Sequence, residues 1–197
     1  MSLGAGTYRD ERGNPWVLPS FARARQLLLD SDSYDHEYIP FSGCDRFIGH
    51  AQRLLLGETT NQHIASIQTV GGTGAVHLGA AFLKEFSDRP QTVFIPAQTW
   101  ENHEACLKHV GLKTAKYRYW SAKTRTFDFD GMCEDLAHAP HRSIVILHAC
   151  GHNPTGCDPT IEQWQYLRDI FIRKDLFAFF DCAYQGFVSG NLREDGQ

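Results

Sequence analysis

Three short segments hold most of the residues able to do chemistry: Gly71-Gly72-Thr73-Gly74, the run from His148 to Cys157, and Asp181-Cys182-Ala183-Tyr184. In the first, glycines let the backbone approach an anion, a helix starting there offers unpaired N–H groups, and Thr73 adds a hydroxyl. A plain glycine-rich turn is the alternative, because the run matches neither G-x-G-x-x-G nor a Walker loop. In the second, Asn153-Pro154-Thr155-Gly156 is a turn sequence that re-aims the chain and presents an amide. A rival reading takes His148, Cys150, His152 and Cys157 as a zinc cluster. Paired C-x2–4-C spacing is absent, however, and buried histidines that support other groups are preferred. In the third, the apolar run Leu176–Phe180 ends in Asp181, a carboxylate that must be paired or hydrogen-bonded to stay charged. It either caps the next loop or faces a cationic ligand. Thr99-Trp100-Glu101-Asn102-His103 adds an indole, read as a packing anchor or a stacking platform, and an imidazole.

These groups can act together only if the chain brings them to one edge. Apolar spacing predicts helices over Phe21–Leu29, Arg46–Leu56, Ala75–Phe86, Asn102–Val110 and Ile161–Lys174, and one beginning at Gly131–Leu136. Strands are expected at Ile64–Val70, Thr92–Pro96, Thr114–Trp120, Ser143–Ala149 and Leu176–Asp181. Alternating β and α elements give an α/β fold, a largely parallel sheet covered by helices on both faces. In such sheets ligands sit beyond the carboxyl ends of the strands, where all four segments fall.

Composition narrows the class. In 197 residues, 42% are hydrophobic and 21% charged, which suits a packed core and argues against disorder. A formal charge of −4 argues against a dedicated nucleic-acid binder. The apolar runs are far shorter than the roughly 20 residues that span a bilayer. The start shows no secretory apolar region, and the six cysteines form no C-x-x-C pair, so free thiols in an intracellular protein are expected.

Several blocks resemble the aspartate aminotransferase family, class I, fold-type I enzymes that use pyridoxal 5'-phosphate. They are GAGTYRDERGNPWVLPS, HEYIPFSG, GGTGAVHLGAAF, TWENH, SIVILHACGHNPTGCDPT, EQW and FFDCAYQGFVSGNL. HNPTG followed at this spacing by D-x-AYQGF is the most specific. The resemblance implies a three-layer sandwich in which residues 1–15 belong to a small domain and 16–197 to an incomplete cofactor-binding domain. It implies that Gly72 and Thr73 cradle the cofactor phosphate and that Trp100 stacks on its ring. Asp181 would hold the ring nitrogen protonated, with His103 supporting it, and Asn153 and Tyr184 would bond the phenolic oxygen. Gly6 would sit near the substrate carboxylate and, with Trp100 and Asn153, contact the substrate, while Tyr38 would reach the cofactor phosphate of a neighbouring subunit in a homodimer with shared sites. No metal is expected, nor any nucleic-acid or membrane partner.

The implied reaction moves an amino group between aspartate and 2-oxoglutarate. An aromatic amino acid aminotransferase and a non-catalytic relative of the same fold are the alternatives. The family's lysine that joins the cofactor as a Schiff base follows a serine, whereas none of Lys84, Lys108, Lys113, Lys116, Lys123 and Lys174 does. The chain therefore reads as a fragment that would not complete the reaction alone. The TWENH block and Asp35-His36-Glu37-Tyr38 lean toward a cytoplasmic branch, with the mitochondrial matrix as the other option.

Overall fold

The computed structural model describes residues 7–31, 37–58 and 63–196. Backbone contacts group the chain into two units, Met1–Ile39 and Pro40–Gln197. In the first, the Asp10 carboxylate accepts the amides of Arg12 and Asn14, closing a turn that lets Arg9 pair with Pro15. Helix α1 (Pro19–Leu29) follows, with proline in its first turn, where the missing N–H costs nothing. Gly6 lies outside the described residues, and Tyr38 is fully exposed.

The second unit carries α2 (Asp45–Leu56), α3 (Gly71–Phe86), β1 (Thr92–Pro96), α4 (Glu101–His109), β2 (Lys113–Tyr117), β3 (Trp120–Ser121), β4 (Thr126–Phe127), α5 (Phe129–His138), β5 (Ile144–His148), α6 (Ile161–Lys174), β6 (Phe177–Asp181) and α7 (Leu192–Asp195). Four strands form a parallel sheet in the order β2-β1-β5-β6, and β3 and β4 make a small antiparallel pair. The central strand β5 is buried throughout, and its side chains split by the two-residue period of a strand. Val145 and Leu147 enter a core with Met132 and Leu136 of α5 and Leu167 and Ile170 of α6. Ile144 and Ile146 enter a second core with Ala80 and Leu83 of α3 and Leu107 of α4. Two cores on opposite faces of one sheet make three layers, the expected architecture.

Local sequence sets the ends. Thr160 and Gln163 exchange side-chain and backbone bonds in a capping box that starts α6. Helix α3 begins four residues before the apolar spacing suggested, because three glycines and the polar Thr73 at 71–74 register no apolar periodicity yet adopt the first helical turn. Ile64–Val70 is not a strand. From His63 to Gln68 exposure alternates with the period of extended chain, but the segment's described ladder contact is one bond from the Gln68 amide to the Ser42 carbonyl. The conformation was legible; the missing partner strand was not.

Helix α3 lies so close to the sheet that a Cβ on Gly79 would stand 2.6 Å from the ring of Phe179 in β6. Alanine would gain about 1 kcal/mol in helix propensity. Displacing a packed ring costs about 1–3 kcal/mol. Gly79→Ala is therefore expected to lower the thermal midpoint; a raised midpoint would show that Phe179 swings aside freely.

Candidate active site

All parallel strands point their carboxyl ends the same way, and the order β2-β1-β5-β6 reverses direction between β1 and β5. The chain leaving β1 turns into α4 on one side, and the chain leaving β5 turns toward α6 on the other, which opens a crevice at the strand ends. A cavity of about 200 Å³ lies there, lined by Gly72, Thr73, Trp100, His148, Cys150, Asn153, Asp181, Ala183 and Tyr184. Six residues singled out from the sequence, Gly72, Thr73, Trp100, Asn153, Asp181 and Tyr184, thus surround one space. His103 reaches the same site from behind, through Asp181.

One wall is the start of α3. Its N-cap is Val70, which offers no capping side chain, so the first amides of the helix are left for another acceptor. A Cβ built on Gly71 or Gly72 would meet nothing within 4 Å, so this helix end faces open space. With the positive end of the helix dipole there, the wall suits an anion.

The opposite wall is built on a chain of hydrogen bonds whose direction one backbone amide decides. The Asn153 N–H donates to His148 Nδ1 at 3.3 Å. That nitrogen is an acceptor, so His148 carries its proton on Nε2, which lies 2.9 Å from Thr99 Oγ1. Thr99 therefore accepts from His148 and turns its own proton to His103 Nδ1, 2.8 Å away. His103 in turn holds its proton on Nε2 and donates to Asp181 Oδ2 at 2.9 Å. His148, Thr99 and His103 each have one donor and one acceptor engaged, and the chain ends on a carboxylate.

The surroundings agree with these protonation states. Burial, helped by the neighbouring imidazoles of His152 and His103, pushes His148 down to about 3, and it stays neutral at ordinary pH. Burial likewise pushes His152 down to about 4. Burial by itself would raise the Asp181 carboxyl, but the bond from His103 outweighs it and holds the pKa below the usual carboxylate value. Asp181 is an anion at the floor of the cavity, aimed at whatever occupies it.

The turn after β5 is pinned by Asp158, whose carboxylate accepts the amides of Gly151 at 2.7 Å and His152 at 2.9 Å. His152 stacks on Tyr119, ring centroids 3.7 Å apart. The Asn153 side-chain amide comes within 3.5 Å of the Tyr184 hydroxyl, so two donors converge on one side of the cavity. The zinc reading of this run finds no support among the described residues, where no cluster of three His, Cys, Asp or Glu could hold a metal. Both nitrogens of His148 are already engaged, and His152 Nδ1 bonds Thr155. Thr99, which joins the two histidines, was missed as a participant; a hydroxyl four residues before a histidine on a helix start was the available signal.

Comparisons with known proteins extend over nearly the whole chain. The cytoplasmic aspartate aminotransferase of Gallus gallus is 42% identical over 99% of this chain and 50% of its own length. The aspartate aminotransferase from Saccharomyces cerevisiae cytoplasm is similar in structure, with a TM-score of 0.93, 41% identity, and coverage of 99% of this chain and 48% of that one. A broad-specificity aminotransferase from Leishmania mexicana gives a TM-score of 0.92 at 40% identity, over 98% of this chain and 48% of that one. The chain spans about half the length of the relatives it matches. Residues 1–196 match the family model for aminotransferase class I and II, and the chain belongs to that family.

Proposed function

We propose that this chain builds the pyridoxal 5'-phosphate site of an enzyme that moves an amino group between aspartate and 2-oxoglutarate. The observation that carries the reading is Asp181, kept anionic by the hydrogen bond from His103 and facing a cavity whose far wall is an uncapped helix start. The donor set fits this cofactor. An anion-binding helix end suits the phosphate, a carboxylate suits a ring N–H, and the amide of Asn153 and hydroxyl of Tyr184 suit a ring oxygen anion. When bound, pyridoxal 5'-phosphate supplies a protonated ring that accepts electrons from the α-carbon.

The chain's own residues have separate tasks. The Gly72 and Thr73 amides, with the Thr73 hydroxyl, hold the phosphate. Trp100 offers a flat apolar face that excludes water from one side of the ring. Asp181 holds a proton at the ring nitrogen, and the chain from Asn153 through His103 keeps the carboxylate from taking that proton itself. Asn153 and Tyr184 donate to the ring oxygen. In this reading Tyr38 contacts the phosphate of a neighbouring subunit and Gly6 lies near the substrate carboxylate, within a homodimer. Residues 1–15 belong to the small domain and 16–197 to the cofactor domain. Identity to the chicken and yeast enzymes supports aspartate as substrate and the cytoplasm as location. Among the described residues no helix is long and apolar enough to cross a membrane. The likeness to an aromatic amino acid aminotransferase from Burkholderia cenocepacia, 36% identical with a TM-score of 0.89, keeps aromatic amino acids as the second substrate class.

None of the six lysines lines the cavity. Borohydride reduction of the chain with pyridoxal 5'-phosphate is accordingly expected to label no single lysine stoichiometrically; peptide mapping that finds one fully labelled site would contradict the assignment of roles. The function is tested with a chimera in which this chain replaces the matching half of the chicken enzyme. The chimera is expected to convert aspartate and 2-oxoglutarate. Preference for phenylalanine or tyrosine would favour the aromatic reading, and a folded chimera that fails to bind pyridoxal 5'-phosphate would overturn both.

A further inference from the structure

Two imidazoles that the proposed reaction does not use meet between α3 and α4. His77 Nε2 on α3 lies 2.8 Å from His109 Nδ1 on α4. The ring centroids are 5.0 Å apart and the planes are inclined at 45°. His77 is half-buried and His109 is exposed, so the pair opens to solvent. The helices that carry them are fixed from beneath. Val76 and Ala80 on α3 and Cys106 and Leu107 on α4 are buried. Ala80, Leu83 and Leu107 share one core, and the Cys106 thiol reaches the Thr73 carbonyl from one helix to the other.

A hydrogen bond between two neutral imidazoles uses one N–H and one lone pair. When the shared proton moves to the other nitrogen of its own ring, both facing nitrogens present lone pairs. No proton is lost, and a ring open to solvent gives the relocated N–H to water. A cation held by two imidazoles at about 2.0–2.1 Å each, with an angle of about 90–109° at the metal, keeps the nitrogens about 2.9–3.4 Å apart. His77 and His109 stand within about 0.6 Å of that separation. Each ring has only to pivot until its lone pair leaves the line between the rings and aims at a common point. The site escapes sequence motifs because its two ligands are 32 residues apart, on different helices.

We propose that His77 and His109 form a two-imidazole site for a divalent late transition cation, bridging α3 and α4. Imidazole nitrogen suits nickel, copper and zinc, whereas magnesium and calcium take oxygen ligands. Among the described residues no third His, Cys, Asp or Glu completes a set, so water fills the other positions and the cation stays exchangeable. Neither histidine lines the cofactor cavity. Helix α3 nevertheless carries Gly72 and Thr73 in its first turn, and α4 follows directly on Trp100. The ion therefore staples together the two helices whose starts border the cavity, without entering it.

The test is isothermal titration of the chain with Ni2+, which does not oxidise thiols, at about pH 7.5, where an ordinary histidine is largely unprotonated. One saturable ion per chain is expected. His77→Ala and His109→Ala should each weaken it by at least about tenfold, because the second imidazole binds at the high effective concentration that the fold sets. His138→Ala removes an exposed ring that bonds the Glu134 carbonyl on its own helix, and is expected to leave the affinity unchanged. Ni2+ with water in its remaining positions is paramagnetic, so amide signals nearest residues 77 and 109 should broaden first in the native chain, a reading that needs no variant. Undiminished affinity in either variant, broadening centred elsewhere, or Mg2+ binding as tightly as Ni2+ would overturn the proposal. The titration contains no pyridoxal 5'-phosphate, so its outcome stands or falls apart from the aminotransferase reading.

Discussion

Asp181→Ala in the chimera with the chicken enzyme is expected to cut turnover by at least about a hundredfold, reaching several thousandfold. Removing one member of a desolvated charge pair costs about 3–5 kcal/mol, and each 1.36 kcal/mol in the barrier is about tenfold in rate. The loss should fall on turnover more than on binding of pyridoxal 5'-phosphate, because the helix start at Gly72 and Thr73 is untouched. Asp181→Asn should behave like alanine, since it keeps the shape and a hydrogen bond but not the charge. Steady-state rates and cofactor titration separate the two effects. Near-normal turnover in the alanine variant would show that this carboxylate does not hold the ring proton.

The second large effect is on stability in acid. His148 and His152 are held neutral by burial, at about 3 and about 4, below the usual 6.5 of an unfolded histidine. Between those values the unfolded chain binds protons that the folded chain excludes, so stability falls as pH falls. The contribution is complete above about pH 6.5 and is withdrawn on the way to about pH 3. With about 1.36 kcal/mol per pKa unit, the pair removes on the order of 8 kcal/mol by the time both are protonated, comparable with the roughly 5–15 kcal/mol of a typical domain. Asp181 and Asp195, both lowered, act in the same direction but only in the carboxylate range. Urea midpoints are therefore expected to drop steeply from pH 6.5 to 5, before the carboxylates titrate. The double variant His148→Gln, His152→Gln should lose that slope. A midpoint unchanged between pH 7.5 and 5 in the native chain would refute the buried neutral pair.

Much of this was readable from one sequence because periodicity and turn residues act locally. Ile161–Lys174 coincides with α6, and Thr92–Pro96 with β1. Asp181 was legible because an apolar run that ends in a carboxylate leaves that carboxylate at a strand end, and strand ends are where α/β ligands sit. What escaped depends on distant segments meeting. Ile64–Val70 is extended, but no local feature tells a chain whether a partner strand will lie beside it. Gly79 looks like any helical glycine until Phe179 arrives from β6. Asp195 sits in a polar tail, yet its carboxylate accepts the amides of Gly186, Val188 and Ser189 and organises the loop after Tyr184. Thr99 gains its role only when β1 and β5 bring two histidines to either side of it.

The position at 153 meets two separable demands. Its side chain faces the cavity, while its main-chain N–H starts the hydrogen-bond chain that ends on Asp181. The first demand restricts the residue type; the second is met by nineteen of the twenty amino acids and refused by proline alone. Natural variation could therefore retune contacts in the cavity at this site without altering how the distant carboxylate is held, since that control is inherited with the backbone path and not with the side chain.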